Sequence, residues 1–409
     1  MSTIFNWSLT TTPTATTAWT TVDPTHSPWL ISSLSSASQA LATETIRFSM
    51  RSFAEIARGA EASLAVISAQ NVLATATNTE VQVQESQVIF NNTLNLQDLA
   101  AFENVYGYNL IKPANYIYVI VFGILFLYFT FMCISSRYHT FNVAFVLGFA
   151  AETIGYIARC LSIKNNTSSK LYLAEFVTLT IAPAFLMAGI YYAFAKVVVL
   201  YGSKYSVLRP LWYSYIFVSI DVLSLIVQAI GGGMASMETN KGKSTDPGVR
   251  ALITGVCIQI TGMTGFAALF VDALFRIYFK NRKQLPYGKY SKANITNFFR
   301  FLFNTSRARN FKFIVLEPFY DPNPQFVPLR RRSLINYLPL AMTLSVVFVY
   351  IRCVFRVVEL CQGWNGYLKT HEIYLLVLDS LMVALCGIVY VVFHPYFVFG
   401  KHNTVNFRQ

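Results

Sequence analysis

Residues Tyr116–Ile134 read YIYVIVFGILFLYFTFMCI, nineteen positions without one charged side chain. As a helix this run covers about 28 Å, close to the thickness of a bilayer's hydrocarbon core. Six more runs of the same character follow, at 142–161, 173–200, 212–231, 251–279, 339–358 and 373–396. The whole composition agrees with them. Of 409 residues 54% are hydrophobic, 15% aromatic and only 12% charged, with a mean hydropathy of +0.45. An ordinary soluble domain carries about 25% charged residues, so there is too little polar material to cover a water-soluble globule. The expectation is an all-α membrane protein with seven transmembrane helices. Residues 1–110 contain no eighth span. The chain does not start with a basic stretch leading into a short apolar core, so the first span is expected to direct insertion.

The formal charge of +13 would by itself suit a nucleic-acid partner, but its distribution argues for a membrane and no nucleic acid. Residues 1–110 carry a net −5, with basic residues only at Arg47, Arg51 and Arg58. The segment 276–332 holds thirteen Lys and Arg against only Glu317 and Asp321. Short loops rich in Lys and Arg stay in the cytosol, which puts the N-terminus outside and the C-terminus inside. The expected organisation is an extracellular segment over 1–110, a seven-helix domain over 111–398 with a cytosolic basic loop at 280–335, and a short cytosolic tail at 399–409. The glycosylation sequons at Asn6, Asn91, Asn165 and Asn166 all fall on the predicted outer side. Those at Asn294 and Asn304 fall in the basic loop and are expected to stay unmodified.

The outer segment opens with 13 Ser or Thr in its first 30 residues, a solvated and O-glycosylation-prone composition. Ala, Ser, Leu and Ile spacing over 30–76 predicts one or two short helices. In the cytosolic loop, Phe298, Phe299, Phe301, Phe303, Phe311 and Phe313 alternate with basic residues. That pattern suits either a segment lying in the headgroup layer or a loop packed on the helix ends. The loop is also the natural place for a cytosolic or membrane protein partner.

Enzyme signatures are missing. Gly242-Lys243-Ser244 resembles the tail of a phosphate-binding loop, but the required earlier glycine is Met237. No HExxH, CxxC or GxSxG occurs, so no catalytic residue, metal or cofactor is expected. The six cysteines are scattered, mostly inside spans, where thiols act as small apolar groups. Cys160 and Cys361 both lie near the outer surface, where a disulfide is an option.

The informative residues are the polar ones inside the spans, because charge in hydrocarbon is costly and faces a partner or a cavity. Span two carries Glu152 near mid-membrane and Arg159 seven residues further on the same face. Span four carries Asp221, Ser224 and Gln228 as one stripe, followed by Gly231-Gly232-Gly233. Span five has Gln259, and Asp272 with Arg276 one turn on. Span six shows Arg352, Arg356 and Glu359, and span seven Asp379 and His394-Pro395. By depth these form an outer cluster (Arg159, Arg352, Arg356, Glu359, Asp379) and a midplane pair (Glu152, Asp221) with no base at its own level, apart from Arg159 reaching down. The cluster can simply fix helix packing. The midplane acids suit a cavity that accepts a cationic amine or a proton. Pro183 and the triple glycine mark sites for a kink or a close helix approach.

Several stretches together resemble the fungal lipid-translocating exporter family, the group named for resistance to aminocholesterol. They are Glu152-Thr-Ile-Gly-Tyr-Ile-Ala-Arg159, Ala182-Pro183-Ala184, Gly189-Ile-Tyr-Tyr192, Asp221 through Gly233, Arg352-Cys-Val-Phe-Arg356 with Glu359, Gly363 through Tyr367, Thr370-His371-Glu372 and Phe393-His-Pro395. The similarity runs over roughly 105–398. It implies a plasma-membrane transporter that moves sphingoid long-chain bases such as phytosphingosine from the cytosolic to the outer leaflet and confers tolerance to them. Glu152, Arg159, Asp221, Gln228 and Gln259 stand at matching positions and, with Ser224, are the candidate substrate-binding residues. With no nucleotide site, export requires a proton gradient, a partner or a passive path. A seven-helix lipid sensor or receptor, or a regulator of leaflet asymmetry, remains an alternative of the same topology.

Overall fold

The seven apolar runs all form helices. The computed structural model describes residues 20–43, 47–103, 106, 108, 110–164, 168–240, 246–281, 292–362 and 366–400. Among them there are helices, turns and no strand. Seven helices are long and apolar enough to cross a bilayer: Lys112–Ser135, His139–Ser162, Lys170–Tyr201, Pro210–Met234, Pro247–Phe279, Ser333–Gln362 and Glu372–Phe399. This is a multi-pass membrane protein. Each helix exceeds the apolar run that announced it by a few residues, because polar ends continue the helix beyond the hydrocarbon. We call the side on which Lys112 begins span one the N-terminal side, and the opposite side, which carries 292–332, the loop side.

The described residues fall into two compact units, Met1–Tyr108 with Met234–Asp246, and Asn109–Gly233 with Pro247–Gln409. The first contains α1 (Ser27–Thr43), α2 (Arg47–Thr75) and α3 (Thr79–Glu103). The helices expected over 30–76 are thus longer than predicted, and α3 was not foreseen. Small side chains let α2 pack closely: Ala54, Ala57, Ala60, Ala62 and Ala69 are all buried. Arg58 of α2 donates to Asn95 Oδ1 at 2.6 Å and pairs with Asp98 at 2.8 Å on α3. Asn91 lies exposed on α3, while Thr93 of its sequon is buried and accepts the Thr20 N–H. Asn6, Asn165 and Asn166 lie outside the described residues.

In the second unit, span one shows directly what its surroundings are. Ile117, Ile120, Ile124, Leu127, Phe131 and Ile134 form one stripe, each 58–82% exposed, while Phe122, Leu125, Phe129 and Met132 on the opposite face are buried. An unbroken apolar stripe of that length is the lipid-facing side of a bundle. Lipid gives no hydrophobic drive for helix association, so close packing at small residues takes over. A Cβ at Gly148 or Gly155 of span two would come within 2.8 Å of Leu186 or 2.7 Å of Leu179 on span three. Spans four and five touch backbone to backbone. A Cβ at Gly231 would lie 2.6 Å from Leu252 N and one at Gly255 2.9 Å from Ser224 O, while one at Gly262 would lie 2.6 Å from the Ile220 side chain. Of the triple glycine only Gly231 makes such an approach; Gly233 faces open space. The six cysteines are all free, so no Cys160–Cys361 disulfide forms.

The described part of the basic loop folds onto the helix ends, and one of its faces looks outward. Phe301, Leu316 and Phe326 are buried, whereas Ile295, Phe299, Phe303 and Ile314 are exposed. Arg330 clamps this layer: it donates to Leu200 O at 2.8 Å, to Asp321 O at 2.9 Å and to Glu317 at 2.9 Å. Leu200 O is among the carbonyls at the end of span three that have no partner within the helix, and the guanidinium supplies one. Lys312 is buried, donating to Phe301 O at 3.0 Å with its Nζ 4.9 Å from the Tyr278 ring. Burial pushes its ammonium down from 10.5 to about 7. Between those values the unfolded chain binds the extra proton, so stability must rise with pH across that window. The unfolding midpoint in detergent is therefore expected to climb from pH 7 to 9, and Lys312→Met to flatten that slope. A wild-type midpoint that falls over this range would contradict the burial of an ionisable amine here.

Candidate functional site

Arg352 of span six sits between two helix irregularities. In span three, Pro183 has no N–H to give to the carbonyl four residues back, that of Leu179, and Arg352 Nη2 donates to that carbonyl instead. In span seven the helix widens to a π turn at Leu376–Leu381, which carries Asp379. Asp379 pairs with Arg352 through one oxygen and with Arg356 Nη2 at 2.6 Å through the other. Tyr118 of span one donates to Leu376 O at 2.7 Å within the same turn. Arg356 is also paired with Glu359 at 3.0 Å. Backbone departures of this kind at membrane depth persist only where neighbours satisfy the freed groups, and π turns are frequent at functional sites.

Glu152 of span two is buried beside this set. Its carboxylate lies in the field of Arg352, Asp379 and Arg356, and its Oε1 has no hydrogen-bond partner. The expectation that the midplane acids lack a base at their own depth therefore fails for Glu152. Arginine side chains reach several ångströms along the bundle, but those beside Glu152 are Arg352 and Arg356, while Arg159 is held by Glu175 and Glu372. Two guanidinium groups thus face three carboxyls, Glu152, Glu359 and Asp379.

Asp221 does not join Glu152. It accepts from Tyr191 of span three at 3.1 Å, and Ser224 turns back to the Asp221 carbonyl at 2.8 Å. The stripe Asp221–Ser224–Gln228 holds as a chain: Gln228 Nε2 donates to Ser224 Oγ at 3.5 Å and to Gln259 Oε1 of span five at 3.3 Å. These two glutamines, with Thr180, Arg352, Cys353 and Arg356, line a cavity of about 20 Å³ among spans three to six. That is room for about one water molecule. Cys353 lies in the field of both Arg352 and Asp221, so the aspartate borders the ion-paired set without entering it.

Arg159 is the clearest correction. Grouped by depth with Arg352, it belongs elsewhere: it pairs with Glu175 of span three and, at 2.9 Å, with Glu372 of span seven, and donates to Asn115 Oδ1 at 2.8 Å. Glu372 also accepts from Asn115 Nδ2 at 2.7 Å and from the Ile111 N–H at 2.5 Å. This is a second buried polar cluster, binding the N-terminal ends of spans one, three and seven to the end of span two. Glu175 and Asn115 went unread because they lie in the first turns of their spans, where polar residues ordinarily face water. At the loop side, His394 is buried, its Nδ1 accepting the Tyr396 N–H at 3.1 Å and its Nε2 meeting Asn142 Oδ1 at 2.6 Å. Its bonds are thus made within the helix ends. Asp272 pairs with Arg276 at 2.8 Å, as the spacing predicted.

Residues 145–402 match the family model described as RTA1 like protein. The chain belongs to the RTA1-like family. The match takes in Glu152, Arg159, Glu175, Asp221, Arg352, Asp379, Glu372 and His394, but not Asn115. Curated relatives agree. The sphingoid long-chain base transporter RSB1 of Saccharomyces cerevisiae (strain Lalvin EC1118) is 35% identical over 299 residues, covering 71% of this chain and 73% of its own. Protein RTA1 of the same species is 29% identical over 264 residues, 63% of this chain and 68% of its own. Protein RTM1 is 27% identical over 262 residues, 64% and 69%. No solved structure matches.

Proposed function

We propose that this chain moves sphingoid long-chain bases across the plasma membrane, from the cytosolic to the outer leaflet, with its N-terminus outside and the basic loop inside. The observation that carries the reading is the uneven charge around Arg352: two guanidinium groups against three carboxyls, one of them the unpartnered Glu152. With all carboxyls ionised this set lacks one positive charge. A single ammonium head supplies it, and so does a single proton. A sphingoid base crosses bilayers slowly because its charged head must traverse hydrocarbon. A buried carboxylate with a free oxygen lowers that barrier while the chain stays in lipid. Exchange of amine for proton at Glu152 gives export an energy source without a nucleotide. The name of the RSB1 relative supports the substrate class.

The test is purified protein in liposomes, with a fluorescent sphingoid base in one leaflet and its transbilayer movement followed with and without a proton gradient. Glu152→Gln is expected to lower the rate at least about tenfold, equivalent to about 1.4 kcal/mol, while the unfolding midpoint stays level or rises, since an uncompensated buried charge is removed. Wild-type flux in the variant would sink the proposal. The small size of the cavity favours a second reading, a lipid sensor whose ligand binds without crossing. Saturable binding of the base with no flux under either condition would establish it.

A further inference from the structure

The short helix α4 (Ile295–Leu302) carries one broad apolar arc, from Phe301 through Phe298 and Leu302 to Ile295 and Phe299, opposite Thr296, Asn297 and Arg300. One side of the arc packs inward, where Phe301 lies 5.2 Å from the Tyr278 ring and 5.7 Å from Phe279 at the end of span five. The other carries Ile295 and Phe299, continued by Phe303, at intervals of four residues and 71%, 48% and 56% exposed. Between this ridge and spans five and six runs an open groove of about 430 Å³, walled by Val271, Leu274, Phe275, Phe298 and Leu302, with Thr343 as its one hydroxyl. A second hollow of about 470 Å³ follows the far flank of Ile295 and Phe299, and Arg300 and Thr305 close it.

The charge left unpaired near this groove is basic, since Asp272, next to Val271 in the wall, is held by Arg276. Arg300 makes a single hydrogen bond, to Asn297 Oδ1 at 3.3 Å, and no ion pair among the described residues. Lys292 and Arg307 are exposed nearby in sequence, and Arg309 is half-buried. The two acids of the described loop are already engaged, Glu317 by Arg330 and Asp321 by the Asn323 N–H at 3.0 Å. An amine head would be repelled here, and a zwitterion would gain little. A phosphodiester with its net negative charge finds a guanidinium outside any ion pair of the described residues in the second hollow, which shares Ile295 and Phe299 with the apolar groove.

We propose that this groove holds an anionic phospholipid of the loop-side leaflet, with one acyl chain between α4 and spans five and six and its phosphate at Arg300. The lipid is not the cargo: none of these lining residues borders the Arg352 cavity. Its effect is to fill the space behind α4 and hold the folded loop against the ends of spans five and six.

The experiment uses the full chain, delipidated in non-ionic detergent and titrated with dioleoyl phosphatidylserine, dioleoyl phosphatidylcholine or inorganic phosphate. Unfolding midpoints and native mass spectra are the readouts. Phosphatidylserine should raise the midpoint and leave one retained lipid per chain; phosphatidylcholine should bind about fivefold more weakly and phosphate not at all. Arg300→Gln should bring phosphatidylserine down to the phosphatidylcholine level. Val271→Trp, on a lipid-facing position, should weaken both lipids alike. Equal binding of the two lipids, an unchanged affinity in Arg300→Gln, or displacement of phosphatidylserine by phytosphingosine would overturn the assignment. Should Val271→Trp fail to fold, photoactivatable phosphatidylserine decides on the wild-type chain: labelling within 271–303 supports the site, and labelling confined elsewhere refutes it. Binding is read in detergent and without flux, so failure of the transport reading or of the membrane orientation leaves this result separate.

Discussion

Arg159→Met is expected to leave little folded protein. The guanidinium is 1% exposed and holds two carboxylates, Glu175 and Glu372, that are 5% and 2% exposed in their side chains. Taking it away leaves both acids buried, close together and without a counter-ion. Breaking a buried pair in this way costs about 3–5 kcal/mol, a large part of the roughly 5–15 kcal/mol that holds an ordinary domain together. Asn115 would also lose its acceptor role, loosening the start of span one. The surface abundance of a tagged variant should fall severalfold, and its unfolding midpoint in detergent should drop by many degrees. Removing the stranded charges as well, with Glu175→Gln and Glu372→Gln, should recover much of that loss, because an uncharged cluster of similar shape costs little. A single variant that melts with the wild type would show that the cluster is not a structural clasp.

Asp379→Ala should be nearly as damaging, and it should separate folding from transport. Among the described residues Asp379 is the one carboxylate ion-paired with both Arg352 and Arg356. Without it Arg356 keeps Glu359, and Arg352 keeps the Leu179 carbonyl and gains Glu152 as its nearest carboxylate. The expected loss is again about 3–5 kcal/mol, reduced by whatever Glu152 recovers. Its functional effect should be larger. Glu152, drawn into a pair with Arg352, is no longer free for an ammonium, so sphingoid-base flux should disappear even in the fraction that folds. Adding Arg352→Met should restore the midpoint but not the flux. Flux that returns together with stability would place the cation site away from Glu152.

What the sequence disclosed follows from which forces act within one helix. The spans were legible because nineteen uncharged residues between Tyr116 and Ile134 have no other stable place. The pairing of Asp272 with Arg276 was legible for the same reason, one turn on one helix. Partnerships between helices were not, since they depend on the order of the helices around the bundle, which spacing does not encode. Hence Arg159 was grouped with Arg352 by depth, although its partners begin spans three and seven. Pro183 announced an irregularity, but not that Arg352 would take up the carbonyl it frees. The π turn at Leu376–Leu381 has no residue signature at all. Helix α3 was missed because its Gln- and Asn-rich stretch lacks an apolar stripe, though the absence of Gly and Pro from 79 to 103 was a usable sign.

The Arg352–Leu179 bond has a mechanical meaning. It joins span three to span six, the Asp379 pairs join six to seven, and Gly148 and Gly155 seat span two on span three. Those helices form a fixed frame. Spans four and five are fastened to each other by close approach at Gly231, Gly255 and Gly262, but meet the frame through edge-to-face rings, as where Tyr191 and Phe194 lie 4.5 and 5.7 Å from Phe266, and through the Tyr191–Asp221 hydrogen bond. Ring edges and a hydrogen bond yield at smaller cost than buried ion pairs. The cavity between Gln228 and Arg352 thus has one soft seam, and enlarging it means swinging the four–five pair outward as a single paddle, a motion that a crosslink between spans four and six would stop and one between four and five would not.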